Sequence, residues 1–373
     1  MKPVCLLITA ILISGNAPAQ ESFLQNNNLA FTAKFNYGAI WRHTKNFKPE
    51  VDHLSYAGEI SICKQTLGRK SWEQAWRFPS WGIAASFTRF GNDSLLGNGF
   101  AIVPYFHIPL IRKKNFHFDW RVAAGLGYLP KPFDRTNNFG NDVIGSHINN
   151  CTSFHFEAGW KISSHVQLNG GAALTHFSNG HVHLPNLGIN LITGFLTARY
   201  FFADQKEVEF LADTFSKTKM HWLFNLHAGI GWTERGGADG PTYQVYVATA
   251  SFGREVSRIN SVYTGLEVSY NAGVAAYLFS QEQFAGDEMY QSTRWNWLIA
   301  DELKIGHFAT RGQIGFYLYK TKFMPAPYYE KLGFFWYPYQ AKNQKPFKTG
   351  IGVQLMTHLG DAEFVEIPII VEW

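Results

Sequence analysis

The residues best placed to do chemistry fall in one stretch, Thr175-His176-Phe177-Ser178-Asn179-Gly180-His181-Val182-His183-Leu184-Pro185-Asn186-Leu187-Gly188-Ile189-Asn190. A serine hydroxyl becomes a nucleophile when a neighbouring imidazole takes its proton and a third polar group fixes the tautomer of that imidazole. Here Ser178 would attack an ester carbonyl. His176 would remove the serine proton and later return it to the leaving alcohol, and a third group would orient the ring. Positions i and i+2 of a strand share a face, so His176 and Ser178 can meet only if this stretch ends a strand. An isolated H-x-S on a strand is commonly structural, and the neighbouring turn signals, Asn179-Gly180 and Pro185-Asn186, are what favour a built site. His176, His181 and His183 are also candidates for metal ligation, but no nearby Asp or Glu completes a set. G-x-S-x-G, H-E-x-x-H, G-x-x-x-x-G-K and G-x-G-x-x-G are all absent, and no cofactor or metal is expected.

The strands that carry these residues follow from period-two alternation. Before the connection, Val166, Leu168, Ala172, Leu174, His176 and Ser178 share an apolar face, while His165, Gln167, Asn169, Thr175 and Asn179 share the other. After it, Asn190, Ile192, Leu196 and Ala198 share a face, opposite Thr193, Thr197 and Arg199. In a membrane barrel the apolar faces meet lipid, which places His176, Ser178 and Asn190 on the membrane-facing surface. Polar groups there lose hydration without a structural gain, and this favours a site. Glu157 is the nearest carboxylate by topology, but its parity, opposite to Phe154 and Phe156, points it into the lumen.

Similar segments fill the rest of the chain. Strands are expected at about 31–43, 54–64, 80–90, 99–112, 115–129, 151–162, 165–178, 187–202, 222–234, 242–254, 260–270, 291–304, 308–320, 331–341, 348–358 and 363–373. Short turns around Lys113-Lys114, Ser163-Ser164, Ser257-Arg258 and Gly306 alternate with longer connections such as 140–150 and 271–290, the asymmetry of an outer-membrane barrel. The segment 64–79 breaks the pattern and is expected to hold a short helix with Trp72 and Trp76 on one face. In the last segment Val365, Ile367, Ile369, Val371 and Trp373 alternate with polar positions, and a terminal aromatic is similar to the signal that marks bacterial outer-membrane proteins for insertion. Phe35-Asn36 and Thr175-His176 are echoed by Phe224-Asn225 and Thr357-His358, a hint of duplication. The two histidines nevertheless differ in parity.

The 373 residues suffice for one large barrel or two ordinary domains. Aromatics at 16%, charged residues at only 16% and 34 glycines disfavour a cytoplasmic enzyme or a disordered chain. The longest apolar run, Val4 to Ile13, is too short for a membrane-spanning helix. With Lys2 before it and Ala17-Pro18-Ala19 after it, this run reads as a signal peptide. Cys5 lies too early to be a lipidation site, and the remaining Cys63 and Cys151 make no disulfide framework. They are expected at opposite ends of the barrel. A formal net charge of +5, dispersed along the chain, implies no nucleic-acid partner.

Around the stretch described first, the sequence resembles the PagL-type lipid A 3-O-deacylases, an acyloxyacyl hydrolase-like outer-membrane family, over roughly residues 30–202. The family pattern is a strand ending H-x-S-N, a short loop with Pro-Asn, and an acidic residue four positions after that Asn. The resemblance implies an outer-membrane barrel that removes an ester-linked acyl chain from lipid A at its outer surface. It makes His176 the base, Ser178 the nucleophile and Asn186 a stabiliser of the oxyanion. Position 190 departs from the pattern, carrying Asn where the family has Glu.

The expected fold is therefore all-β, a transmembrane antiparallel barrel of about 16 strands; the alternative is an eight-stranded barrel plus a second β-barrel half. The expected organisation is a signal peptide at 1–19, a PagL-like barrel half at 20–202 with the active site, a linker at 203–220 and a C-terminal barrel half at 221–373. The expected location is the bacterial outer membrane, with lipid A or lipopolysaccharide of the outer leaflet as partner. The competing function is a non-enzymatic porin or apolar-solute transporter with a degenerate site, which would depend on lumen residues such as Arg199.

Overall fold

A computed structural model describes residues 23–205, 209–211, 220–320, 326–341 and 347–373. The signal peptide expected at 1–19 lies outside the described residues, as does most of the linker expected at 203–220. Among the described residues there are sixteen strands: β1 (Leu29–Ile40), β2 (Ser55–Gln65), β3 (Ser80–Arg89), β4 (Asn98–Arg112), β5 (Phe116–Tyr128), β6 (Ile148–Lys161), β7 (Val166–Ser178), β8 (Ile189–Phe201), β9 (Trp222–Glu234), β10 (Thr242–Glu255), β11 (Asn260–Asn271), β12 (Thr293–Ile305), β13 (Phe308–Tyr319), β14 (Tyr328–Gln340), β15 (Lys348–His358) and β16 (Asp361–Glu372). Within β1–β8 and within β9–β16 each strand pairs with its chain neighbours, and each set closes as a barrel. In the first, β1 closes on β8 from Ala30↔Phe201 to Ile40↔Leu191. In the second, β16 closes on β9 from Val365↔Trp232 to Glu372↔Asn225.

The strand count and the all-β class agree with the sequence. The closure corrects the expectation of a single 16-stranded ring in favour of the stated alternative. Alternation determines which side chains point inward on each strand but carries no information on how many strands close a ring, so both architectures satisfy the same pattern. The described residues divide into two compact units, one drawn from 23–131, 147–177 and 189–211, the other from 132–146, 178–188 and 220–373.

An eight-stranded barrel has an interior just wide enough for side chains to fill, and here that filling is polar. In the first barrel Arg121 makes two hydrogen bonds to Glu59, at 2.7 and 3.2 Å, Lys34 stands 3.4 Å from the same carboxylate, and Arg199 donates to Glu157 at 3.0 Å. In the second, Lys331 bridges Glu267 at 3.0 Å and Glu366 at 2.8 Å, and Glu302 accepts from Arg311 at 2.7 Å and Lys348 at 2.9 Å. The hydroxyls of Tyr263, Tyr329 and Tyr337 also donate to Glu372, Glu267 and Glu302. Charges removed from water must be paired in this way. The outward positions are apolar: Ile60, Ile83, Ile102, Leu126, Leu168 and Leu196 are all exposed.

The helices of the described residues include α1 (Ser71–Ala75), α2 (Ala272–Ser280) and α3 (Glu288–Gln291), and α1 is the one expected between β2 and β3. Trp72 and Trp76 both pack on Phe106, each with ring centroids 6.0 Å apart. Cys63 and Cys151 are buried and unpaired with one another.

Candidate active site

Strand β7 delivers the two central residues. Gln167, Asn169, Ala173 and Phe177 are buried on its inward face, and Leu168 and Ala172 are exposed on the other, the parity read from the sequence. His176 and Ser178 continue the outward row at the end of the strand. They are not bare on the barrel wall, however: His176 is half-buried and Ser178 is only 8% exposed. Ser178 is the last residue of β7, next to the connection that leads to β8.

Antiparallel pairing brings the third residue alongside. His176 is directly opposite Asn190 in the β7–β8 ladder, and cross-strand partners point to the same face. Their side chains are bonded, with His176 Nδ1 2.7 Å from Asn190 Oδ1. An amide oxygen can only accept, so Nδ1 of His176 carries the proton and Nε2 keeps its lone pair. That is the tautomer a general base requires. The Asn190 backbone is fixed as well, because its carbonyl accepts from Trp41 N at 2.8 Å, where the chain leaves β1.

The connection of residues 179–188 is organised by Asn179, whose importance the sequence did not reveal. Its backbone N–H donates to Asn186 Oδ1 at 2.9 Å, and its Nδ2 donates to Ser146 Oγ at 2.9 Å and to the His183 carbonyl at 2.8 Å. Its Oδ1 accepts from the backbone N–H of His181 at 3.1 Å and of His183 at 3.3 Å. Asx side chains that bond backbone groups two and four residues on are a known way to hold such a turn. The only available signal was the Asn-Gly pair itself. The Asn186 amide oxygen is engaged with this turn, so Asn186 can offer an oxyanion only its Nδ2.

The remaining histidines of the stretch go elsewhere. His181 Nδ1 is 3.1 Å from Thr233 Oγ1, and His183 Nδ1 is 3.6 Å from Glu234, all within the second compact unit. Ser146 accepts from Asn179, and His147 Nδ1 lies 3.1 Å from the Leu129 carbonyl, so the segment Gly145-Ser146-His147 shapes turns. Glu157 is fully buried in the first barrel, bonded to Asn169 at 2.8 Å and to Arg199, away from His176 as its parity required. Glu157 also lies with His107 and Asp119 in a cluster whose ligand atoms are all within 4.8 Å of one another. The Arg199 guanidinium already contacts Glu157 at 3.0 Å and His107 Nδ1 at 3.1 Å, which makes this an ion-paired core in which a dication would meet a fixed positive charge.

Residues 56–199 match the lipid A 3-O-deacylase (PagL) family, and residues 220–371 match the acyloxyacyl hydrolase C-terminal domain family. Among solved structures the chain is similar to the crystal structure of the outer membrane enzyme PagL, with 14% identity and a TM-score of 0.34 over 44% of this chain and 97% of that one. It is also similar to the outer membrane protein OpdK from Pseudomonas aeruginosa, with 8% identity and a TM-score of 0.23 over 93% and 98% of the two chains. A mutant porin of Rh. blastica gives 9% identity and a TM-score of 0.18 over 92% and 99%. A search of curated proteins finds no match.

Proposed function

We infer that this chain, whose residues 56–199 match the lipid A 3-O-deacylase (PagL) family and whose residues 220–371 match the acyloxyacyl hydrolase C-terminal domain family, is a lipid A deacylase-like outer-membrane barrel protein. We propose that it is an esterase that removes an ester-linked acyl chain from lipid A, with Ser178 as nucleophile, His176 as general base and Asn190 as the group that orients His176. The observation that carries this reading is the 2.7 Å bond from His176 Nδ1 to Asn190 Oδ1, made two residues from a serine on the same outward row of β7.

The steps follow from that geometry. With Nδ1 protonated, Nε2 of His176 takes the proton of Ser178 Oγ as the oxygen adds to the ester carbonyl. The tetrahedral intermediate collapses with transfer of that proton to the departing sugar hydroxyl, leaving an acyl-serine. Water, deprotonated by the same imidazole, then releases the fatty acid. Asn186 Nδ2 is the side-chain donor assigned to the oxyanion, a contribution of about 10² to 10³ in turnover where such donors have been removed. Asn190 differs from a carboxylate in one respect: it selects the tautomer but does not stabilise the imidazolium by charge, and turnover is expected to be correspondingly modest.

The transporter reading is disfavoured by the interior of the first barrel. Arg199, the lumen residue on which it would depend, is buried and bonded to Glu157, and paired charges occupy the space a solute would need. The decisive test is mass spectrometry of lipid A from cells carrying the wild type, the Ser178→Ala variant or no protein. The expected result is loss of one ester-linked acyl chain with the wild type alone. Identical lipid A in all three, confirmed with purified protein and lipid A, would overturn the assignment.

A further inference from the structure

Asn190 has a second partner. Its Nδ2 lies 2.8 Å from Nδ1 of His43, a residue 147 positions away in sequence. His43 is held beside the end of β1 by a short path: Trp41 N donates to the Asn190 carbonyl at 2.8 Å, and the Trp41 ring is 6.3 Å from the His43 ring. Three side chains therefore form a row, His43 Nδ1, the Asn190 amide and His176 Nδ1, with distances of 2.8 and 2.7 Å.

An amide has two faces of opposite character, and rotating it by half a turn exchanges oxygen and nitrogen with almost no change in shape. In the orientation with Oδ1 on His176, Nε2 of the base is unprotonated and can accept. In the flipped orientation Nδ2 would donate to His176 Nδ1, the ring proton would sit on Nε2, and the base could not accept from Ser178. A carboxylate at this position would have no such ambiguity, because both of its oxygens accept. An asparagine in its place requires something to choose the orientation, and the group that meets its Nδ2 is His43 Nδ1. The other end of the amide is where the orientation can be chosen: Nδ2 faces His43 Nδ1 and can only donate, so a His43 with its proton on Nε2 accepts it and would reject Oδ1.

We infer that His43 is a positioning residue for the reaction proposed above, acting through the Asn190 amide to hold His176 in the tautomer that activates Ser178. The inference rests on that reading of His176 and Ser178. It accounts for how an Asn can stand at this position, by assigning the orienting function to a pair of residues.

The test is a double-mutant cycle on the full-length protein in outer-membrane preparations, with purified lipid A as substrate. His43→Phe removes the acceptor and should lower kcat about 10-fold or more with little change in KM, since His43 touches no reacting atom. His43→Glu places an acceptor-only carboxylate opposite Nδ2 and should recover most of that loss. In an Asn190→Glu background the His43→Phe change should cost less than twofold, because no amide remains to be oriented. An equal cost in both backgrounds would overturn the inference, as would a silent His43→Phe in the wild-type background. A readout independent of turnover separates this inference from the function on which it rests. Nitrogen-15 spectra of labelled protein in detergent should show His176 protonated at Nδ1 in the wild type, with that preference lost in His43→Phe and regained in His43→Glu. If lipid A is left intact by the wild type while this spectral pattern holds, the deacylase reading fails and the positioning row stands; an unchanged His176 tautomer in His43→Phe defeats the positioning row even if lipid A is cleaved.

Discussion

At the scale of single residues the proposed chemistry reduces to which nitrogen of His176 carries a proton. The bond to Asn190 Oδ1 settles this in the structure, and it makes separate predictions for the three residues. Ser178→Ala and His176→Ala should each lower ester release from lipid A by at least about 10³, the scale on which nucleophile and base act as a unit. Both variants should still assemble, since neither side chain fills a barrel interior, and a retained heat-modifiable shift on gels checks that. Asn190→Glu should preserve or raise deacylation, because a carboxylate stabilises the imidazolium that forms as Ser178 is deprotonated. Total loss of activity in a folded Asn190→Glu barrel would remove position 190 from the mechanism.

At the scale of elements, β7 and the connection after it set the geometry. Inside the barrel the wall of β7 is close to its neighbours: a Cβ added at Gly171 would collide with the Phe156 carbonyl oxygen on β6 and lie 2.8 Å from the Phe195 ring. Since the first colliding atom belongs to the backbone, Gly171→Val is expected to abolish assembly of the first barrel, with loss of its heat-modifiable form as the measurement. The connection behaves differently. Asn179→Ala deletes the three Asn179 side-chain partners, Ser146, His181 and His183, at a cost of about 1 to 3 kcal/mol if those groups are left unsatisfied. The loop should lose its order while the strands persist. Deacylation is expected to fall about 10-fold or more with barrel assembly unchanged, and a variant with wild-type activity would show that Asn179 does not shape the site.

At the scale of the whole molecule, two closed rings make a claim that one large ring does not. A closed barrel has no unpaired edge, so residues 20–202 expressed alone behind a signal peptide are expected to assemble as a heat-modifiable outer-membrane barrel. Half of a 16-stranded ring would expose two edges and fail. The interior ion pairs give each barrel its own sensitivity. Lys331→Met leaves Glu267 and Glu366 buried without their shared cation, a change of about 3 to 5 kcal/mol by the behaviour of broken buried pairs, and should block assembly of the second barrel. The cysteines test the strand arrangement independently: Cys63 near the end of β2 and Cys151 near the start of β6 lie at opposite ends of the first barrel, and peptide mapping under non-reducing conditions is expected to find no bridge between them.

The amino-acid sequence by itself determined the strands and the face of each. Side-chain alternation is a local property, so Gln167 and Asn169 could be assigned inward and Leu168 outward before any pairing was known, and the same pattern put His176, Ser178 and Asn190 in outward rows of adjacent strands. The resemblance around H-x-S-N was legible for the same reason, being carried by contiguous residues. What the tertiary structure decided was whatever depends on residues far apart in the chain. Ring closure is one case: the pairing of β1 with β8 rather than β16 is a choice among edges that alternate identically. The burial of Ser178 and the role of Asn179 are another, because a turn's hydrogen bonds depend on where its ends are fixed. His43 is the clearest, for a lone histidine after Trp41 has no periodicity or motif to mark it. Only the closing of β1 against β8 carries it across 147 residues to the amide of Asn190, where a directional hydrogen bond can choose between two orientations of nearly equal shape.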